Sequence, residues 1–187
     1  MSFFRRDTPP PQDLANLKAT DARTGDVISV SGAGKDFADL DFTADRTTRY
    51  EAGTRRWFEV SGMYMERRAA LRVFVGEEVA VHLHADPRHL SLEDLGLSDD
   101  DLAEIDERQN TGDSFEFDNR MWYYRLSREV MAFRDDQPQP IGYYYWEFQE
   151  QGGKGLIAIR KPEGEPFAVT LYDQIPASDV TVYRPAG

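Results

Sequence analysis

The stretch "ALRVFVGEEVAVHLH", Ala70 to His84, sets the fold class because its alternation permits one hairpin register and forbids its neighbour. With Gly76, Glu77 and Glu78 as a three-residue loop, Val75 faces Val79, Val73 faces Val81 and Leu71 faces Leu83, so six apolar side chains share one face. A two-residue loop would set Glu78 against Val75 and Leu71 against His82. The three-residue register is therefore expected, with Arg72 opposite His82 on the other face.

Outward from this hairpin the chain reads mostly as strand. "GDVISVSG" alternates Ile28 and Val30 with Val27, Ser29 and Ser31, and stops at Gly32. "RTTRYEAGTRRWFEVSGMYMERR" carries a turn signal at Ala52-Gly53 between two β-prone arms. Beyond "NTGD" come "MWYYRLSREVMAF", "IGYYYWEFQE", "LIAIR", "FAVTLY" and "SDVTVY", separated by Pro- and Gly-rich turns. The exception is "LSLEDLGLSDDDLAEIDERQN", where Ser98 with Asp101 makes an N-cap and Leu102 with Ile105 a short apolar stripe. Ser91 with Asp94 offers a similar, shorter start, and the acids from Asp99 to Glu107 read as a solvated helix face without the ligand pattern of a calcium loop.

The expected fold is mainly β (α+β): antiparallel strands, about eleven, in barrel- or sandwich-like sheets. An aromatic-plus-Glu strand followed by an apolar strand occurs twice, as "RRWFEVSG" before "ALRVFV" and "YYYWEFQE" before "GLIAIR". One β-rich domain, residues 20–187, is therefore expected, with the echo suggesting two related modules within it, 20–90 and 112–187, joined by a helical segment 91–111. Residues 1–19, with "MSFFRRDTPPPQD", read as a flexible segment whose Phe3, Phe4, Arg5 and Arg6 offer at most a weak peripheral membrane contact.

Composition narrows the chemistry. Thirty-four acidic against 22 basic residues give a net charge of −12, which repels nucleic-acid backbones and anionic lipid. The absence of cysteine removes disulfides, thiolate metal sites and cysteine nucleophiles. No apolar run suits a signal peptide or a membrane span, so a cytoplasmic protein is expected.

The three histidines, His82, His84 and His89, are the metal candidates. The first two project to one side of a strand and could share a cation. Their spacing between Gly76 and Gly96 resembles the first motif of cupins, with His89 where that motif has a glutamate. The chain has no later histidine to complete a cupin site, Arg72 disfavours a cation beside His82, and Pro87 separates His89 from the pair. Structural histidines are the simpler reading, and no cofactor is expected.

No nucleophile elbow is present, and "GAGK" at Gly32 to Lys35 lacks the spacing of a P-loop. Glu59 and Glu147, each beside a tryptophan, are candidate buried acids of raised pKa, as a glycosidase requires, or simply partners of an arginine such as Arg56 or Arg125. The densest feature is aromatic, "MWYY" and "YYYW". Core packing accounts for half of each cluster by alternation. Tyr143 and Tyr145, or else Tyr144 and Trp146, then look outward, and the candidate contact residues for a protein partner are Trp122, Tyr143, Tyr145 and Trp146.

"LKATDARTGDVISV", "RRWFEVSG", "YYYWEFQE" and "GLIAIRKPEGEPFAVTLYDQIPASDVTVY" together resemble the bacterial domain of unknown function 4178 family, over roughly residues 20–183. The resemblance implies a β-rich accessory module, encoded near phage-shock-type envelope-stress proteins and polyamine-related genes, and carries over no catalytic residue. The expected function is a non-enzymatic module that binds a protein partner. The alternatives are a metal-dependent, cupin-like enzyme on His82, His84 and His89, or a small-ligand sensor inside a β barrel.

Overall fold

The computed structural model describes residues 17–185, so the expectations for "MSFFRRDTPPPQD" lie outside the described residues. Among the described residues eleven strands follow one another: β1 (Val27–Val30), β2 (Leu40–Ala52), β3 (Arg55–Tyr64), β4 (Arg67–Val75), β5 (Val79–His84), β6 (Ser114–Phe117), β7 (Arg120–Arg134), β8 (Ile141–Glu150), β9 (Gly155–Pro162), β10 (Ala168–Ile175) and β11 (Val180–Tyr183). Among the described residues there is one α-helix, α1 (Asp99–Arg108), between β5 and β6. Ser98 caps it as the sequence foretells: its side chain accepts from the Asp101 N–H while Asp101 reaches back to the Ser98 N–H at 2.8 Å. Among the described residues no helix is long and apolar enough to cross a membrane.

All strands belong to one antiparallel sheet in the order β11-β1-β2-β3-β4-β5-β10-β9-β8-β7-β6, and a further pairing of β2 with β7 closes it. The eight strands from β2 to β7 in that order thus form a barrel, with β1, β11 and β6 laid outside it. Closure removes the sheet edges that eight strands would otherwise expose. The central hairpin has the expected register: Val75↔Val79, Val73↔Val81, Leu71↔Leu83 and Arg72↔His82.

The two longest strands, β2 and β7, each carry one β-bulge, between Ala44 and Arg46 and between Tyr124 and Leu126. One extra residue shifts the pairing parity, so even-numbered side chains exchange faces along the strand. Before the bulge, Phe42 and Ala44 join an outer core with Val60, Leu71, Val73 and Val81, while Trp122 and Tyr124 join a second outer core with Phe148, Ile157 and Ile159. After it, Tyr50 and Val130 point into the barrel with Trp57, Tyr145, Leu156 and Tyr172. The first outer core is covered by β1, β11 and the turn Ala19–Asp21, the second by β6, the turn Glu93–Leu95 and α1. Because β11 pairs with β1, the last strand completes the edge of the first half.

At the first bulge the Thr43 carbonyl is driven against β3, and Gly62 is the residue that receives it. A Cβ built on Gly62 would lie 2.0 Å from that oxygen, a backbone atom that cannot yield. Gly62→Ala is expected to lower unfolding free energy by about 3 kcal/mol, the scale of an unrelievable overpacking. Urea denaturation gives the value, and a loss below about 1 kcal/mol would show that the bulge relaxes.

Candidate functional site

An eight-stranded barrel is just wide enough to be filled by side chains or to hold one small ligand. This barrel is filled at one end and open at the other. At one end Trp57, Phe74, His82, Leu126 and Leu156 fill the interior, and Arg55 is paired with Glu147 at 2.8 Å. At the other a cavity of about 550 Å³ opens between the strands, with lining residues from all eight of them.

The boundary between the ends is a layer of charge and tyrosine. Glu59, Arg72 and His82 are successive neighbours across β3, β4 and β5, continued by Gln174 on β10. Arg72 has no exposed surface. It donates to the Tyr145 hydroxyl at 2.9 Å and the Tyr172 hydroxyl at 3.0 Å, stacks over the Tyr172 ring, and its Nε stands 3.7 Å from Glu59. Glu59 accepts from Tyr172 at 2.7 Å and Tyr50 at 3.4 Å, and Arg160 reaches within 3.5 Å of it from β9. Burial alone would raise the Glu59 pKa, but Arg160, Arg72 and the Tyr172 hydroxyl outweigh it and hold the carboxyl below its ordinary range. The raised-pKa acid that a glycosidase needs is thus not Glu59, and both glutamates pair with arginines other than Arg56 and Arg125 within the barrel.

Above this layer the cavity floor consists of Arg160, Tyr143, Tyr50, Tyr172 and Glu59, with Thr48, Ser61, Ala70 and Thr170 as the lower wall. Arg160 spends one hydrogen bond on the Tyr172 hydroxyl, at 2.9 Å, while its Nε has no hydrogen-bonding partner. The Tyr143 hydroxyl is likewise buried without a partner. Around the mouth Arg46, Arg68 and Arg134 line the cavity. Their carboxylate partners, Asp45 and Asp136, stand outside the lining.

The histidines do not converge. His82 is buried below the charged layer, edge-on to Phe74. His84, one rung up, donates from Nδ1 to the Leu171 carbonyl at 2.9 Å and borders the cavity. Exposed His89 lies beyond Pro87 on a groove lined by Arg67, Arg68 and Arg88. Among the described residues no three His, Asp or Glu side chains are placed to hold a metal ion, so the metal set His82, His84 and His89 is not assembled.

The aromatic candidates are corrected in the same way. Trp122 and Tyr145 have no exposed surface and Trp146 has 7%. Trp122 donates to the Phe117 carbonyl at 3.1 Å and packs on Gly155, where a Cβ would sit 2.6 Å from its ring. Tyr145 donates to Glu147 at 2.7 Å inside the barrel, and Trp146 packs between Tyr144 and Phe167. Across Tyr145–Phe148 both faces of β8 are covered, one by the barrel interior and one by the outer core, and Trp122 lies on the part of β7 that the outer core covers, so alternation leaves none of these three outward. Tyr143 alone reaches an accessible space, and that space is the cavity. Arg160, which sequence reasoning passed over, had one signal: a lone arginine ending the apolar run "GLIAI".

Trp122→Ala is accordingly expected to cost about 4 kcal/mol of stability, as for a fully buried aromatic. A loss under about 1 kcal/mol in urea denaturation would return Trp122 to the surface.

Burial and the neighbouring Arg72 lower the His82 pKa to about 4. Unfolded His82 titrates near its ordinary value of about 6.5, so between these pH values the unfolded chain binds more protons. Stability is therefore full above about pH 6.5 and falls as pH drops toward 4, by about 3 kcal/mol from this residue. Burial shifts His84 in the same direction. Urea denaturation across this window should show the slope, and His82→Phe should remove at least half of it; an unchanged slope would exclude His82 as its source.

Comparison of the chain with protein-family models, with curated proteins and with solved structures brought no match.

Proposed function

We propose that the protein is a non-enzymatic binding module whose barrel mouth takes one small polar ligand. The observation that carries this reading is the pair of buried groups without a partner on the cavity floor, the Arg160 Nε and the Tyr143 hydroxyl. Buried polar groups are almost always satisfied, and an unmade hydrogen bond there costs about 1–3 kcal/mol. Both belong to residues that line one cavity of about 550 Å³, and a ligand seated there would complete them.

Binding is favoured over catalysis because the charged side chains on the floor have fixed protonation. Glu59 is held as a carboxylate by Arg160 and Arg72, and Tyr143 and Tyr172 are held protonated by burial. General acid–base work needs a group poised near neutral pH, and these are pushed away from it. A liganded state read by a protein partner would join this reading to the accessory role implied by the family resemblance.

The test is a thermal-shift screen of small metabolites of each charge class, repeated on a variant with the mouth obstructed. Ala168 is exposed at the rim, so Ala168→Trp fills the entrance without disturbing the core. A ligand at about 100 times its Kd should stabilise the native protein by about 2.7 kcal/mol. That gain should vanish in Ala168→Trp. Stabilisation that survives the obstruction, or none from any class, would overturn the reading.

A further inference from the structure

We infer that the ligand of the barrel mouth is a small organic acid bound through a single carboxylate, seated on Arg160 and Tyr143. The inference rests on the binding reading above and adds the chemical class, from the charge arithmetic of the interior. Two guanidinium groups, Arg72 and Arg160, face one carboxylate, Glu59. The other interior carboxylate, Glu147, is engaged by Arg55. One positive charge is left over, and the one a ligand can reach is Arg160: Arg72 has no exposed surface and does not line the cavity, while the Arg160 side chain is one-fifth exposed and does.

A carboxylate matches this floor in number and in shape. It supplies one negative charge against one surplus positive charge, and its two oxygens can accept from the Arg160 edge and from the Tyr143 hydroxyl together. A phosphate dianion would bring a second charge into a space that Glu59 and Glu165 already border, and a neutral amide would leave the surplus cation uncompensated. A cation is opposed by Arg160 below and by Arg46, Arg68 and Arg134 at the rim. His84 faces the cavity from β5 as a neutral ring whose Nδ1 proton is already donated, so it adds no charge to the count. Above the floor, Ala70, Ala132, Ala168, Ile141 and Pro162 offer an apolar collar for a short carbon chain.

Calorimetric titration of the full chain with hexanoate, hexanamide, adipate and inorganic phosphate reads the class directly. Hexanoate should bind at least about tenfold more tightly than each of the others, the scale of one charge-assisted hydrogen bond. Arg160→Gln should weaken hexanoate by about thirtyfold and leave hexanamide nearly unchanged. Because that variant also leaves Glu59 one partner fewer, Tyr143→Phe is the companion: its hydroxyl has no partner in the protein, so the fold should keep its stability while hexanoate binding weakens about fivefold. Hexanamide or phosphate binding as tightly as hexanoate, or hexanoate binding that ignores both substitutions, would overturn the inference. The failures separate cleanly. Equal binding of hexanoate and hexanamide, blocked by Ala168→Trp, sinks the carboxylate and keeps the binding module, whereas a screen in which nothing depends on the mouth sinks both.

Discussion

A guanidinium with no exposed surface, Arg72, stands at the centre of the barrel, and the rest of the interior is arranged around it. Taking such a charge out of water costs several kcal/mol unless it is paired and hydrogen-bonded on most of its N–H groups. Arg72 draws on three other strands to offset part of that cost: the Glu59 carboxylate from β3 and the hydroxyls of Tyr145 from β8 and Tyr172 from β10, while its Nε has no hydrogen-bonding partner. The two halves of the chain are therefore joined through their middle as well as along their edges. Removing any one partner would leave a buried charge short of a neighbour, so this layer fixes how β8 and β10 sit against β3 and β4. It also divides the barrel, because apolar packing continues below it while the space above stays open.

The second constraint is the pair of bulges. Each half of the barrel begins with a long strand, β2 or β7, that serves an outer core first and the barrel afterwards, and a single extra residue makes the change of face possible. Counted from the bulges, Ser61 with Ala70 corresponds to Glu147 with Ala158, since each pair lies on the first rung past the irregularity. Two residues further along, Arg72 corresponds to Arg160. The halves thus contribute one inward arginine each from equivalent places. The first is enclosed by the other half's tyrosines, and the second is left facing the mouth.

Much of the fold was legible because local alternation and capping act over a few residues. The register of the Ala70–His84 hairpin followed from keeping six apolar side chains on one face, and α1 followed from Ser98 and Asp101. The faces of the aromatic strands were not legible, since across Tyr145–Phe148 β8 is covered on both sides and alternation presumes that one side is wet. Trp122 lies before a bulge and Val130 after it, yet nothing in "MWYYRLSREVMAF" marks the extra residue. Short β6 and the first part of β2 escaped for a similar reason: "SFEF" and "LDFTAD" carry too few apolar residues to signal a strand without their partners. The echo between "RRWFEVSG" and "YYYWEFQE" was real in that Glu59 and Glu147 both face inward. It was misaligned by one rung, because the eye matches glutamates while the fold matches bulges.

The candidate site was hidden by the same long-range pairing, because Arg160, Tyr143 and Glu59 come together only once the sheet closes. Net charge pointed the other way. A chain at −12 suggests a surface that repels anions, and the acids do concentrate outside, on α1 and at the rim partners Asp45 and Asp136. The interior inverts that sign, with Arg55, Arg72 and Arg160 against Glu59 and Glu147. An anion must cross a repulsive exterior to reach an attractive floor, and screening shortens that repulsion to roughly 8 Å at physiological salt. Rim arginines Arg46, Arg68 and Arg134 span the last stretch, so on the proposed reading the barrel would admit small anions that can enter it and turn away larger polyanions that would feel the whole surface. That selectivity by size and sign would rest on one geometric fact: the barrel interior carries three arginines, Arg55, Arg72 and Arg160, against two glutamates, Glu59 and Glu147, beneath a surface that is acidic on balance.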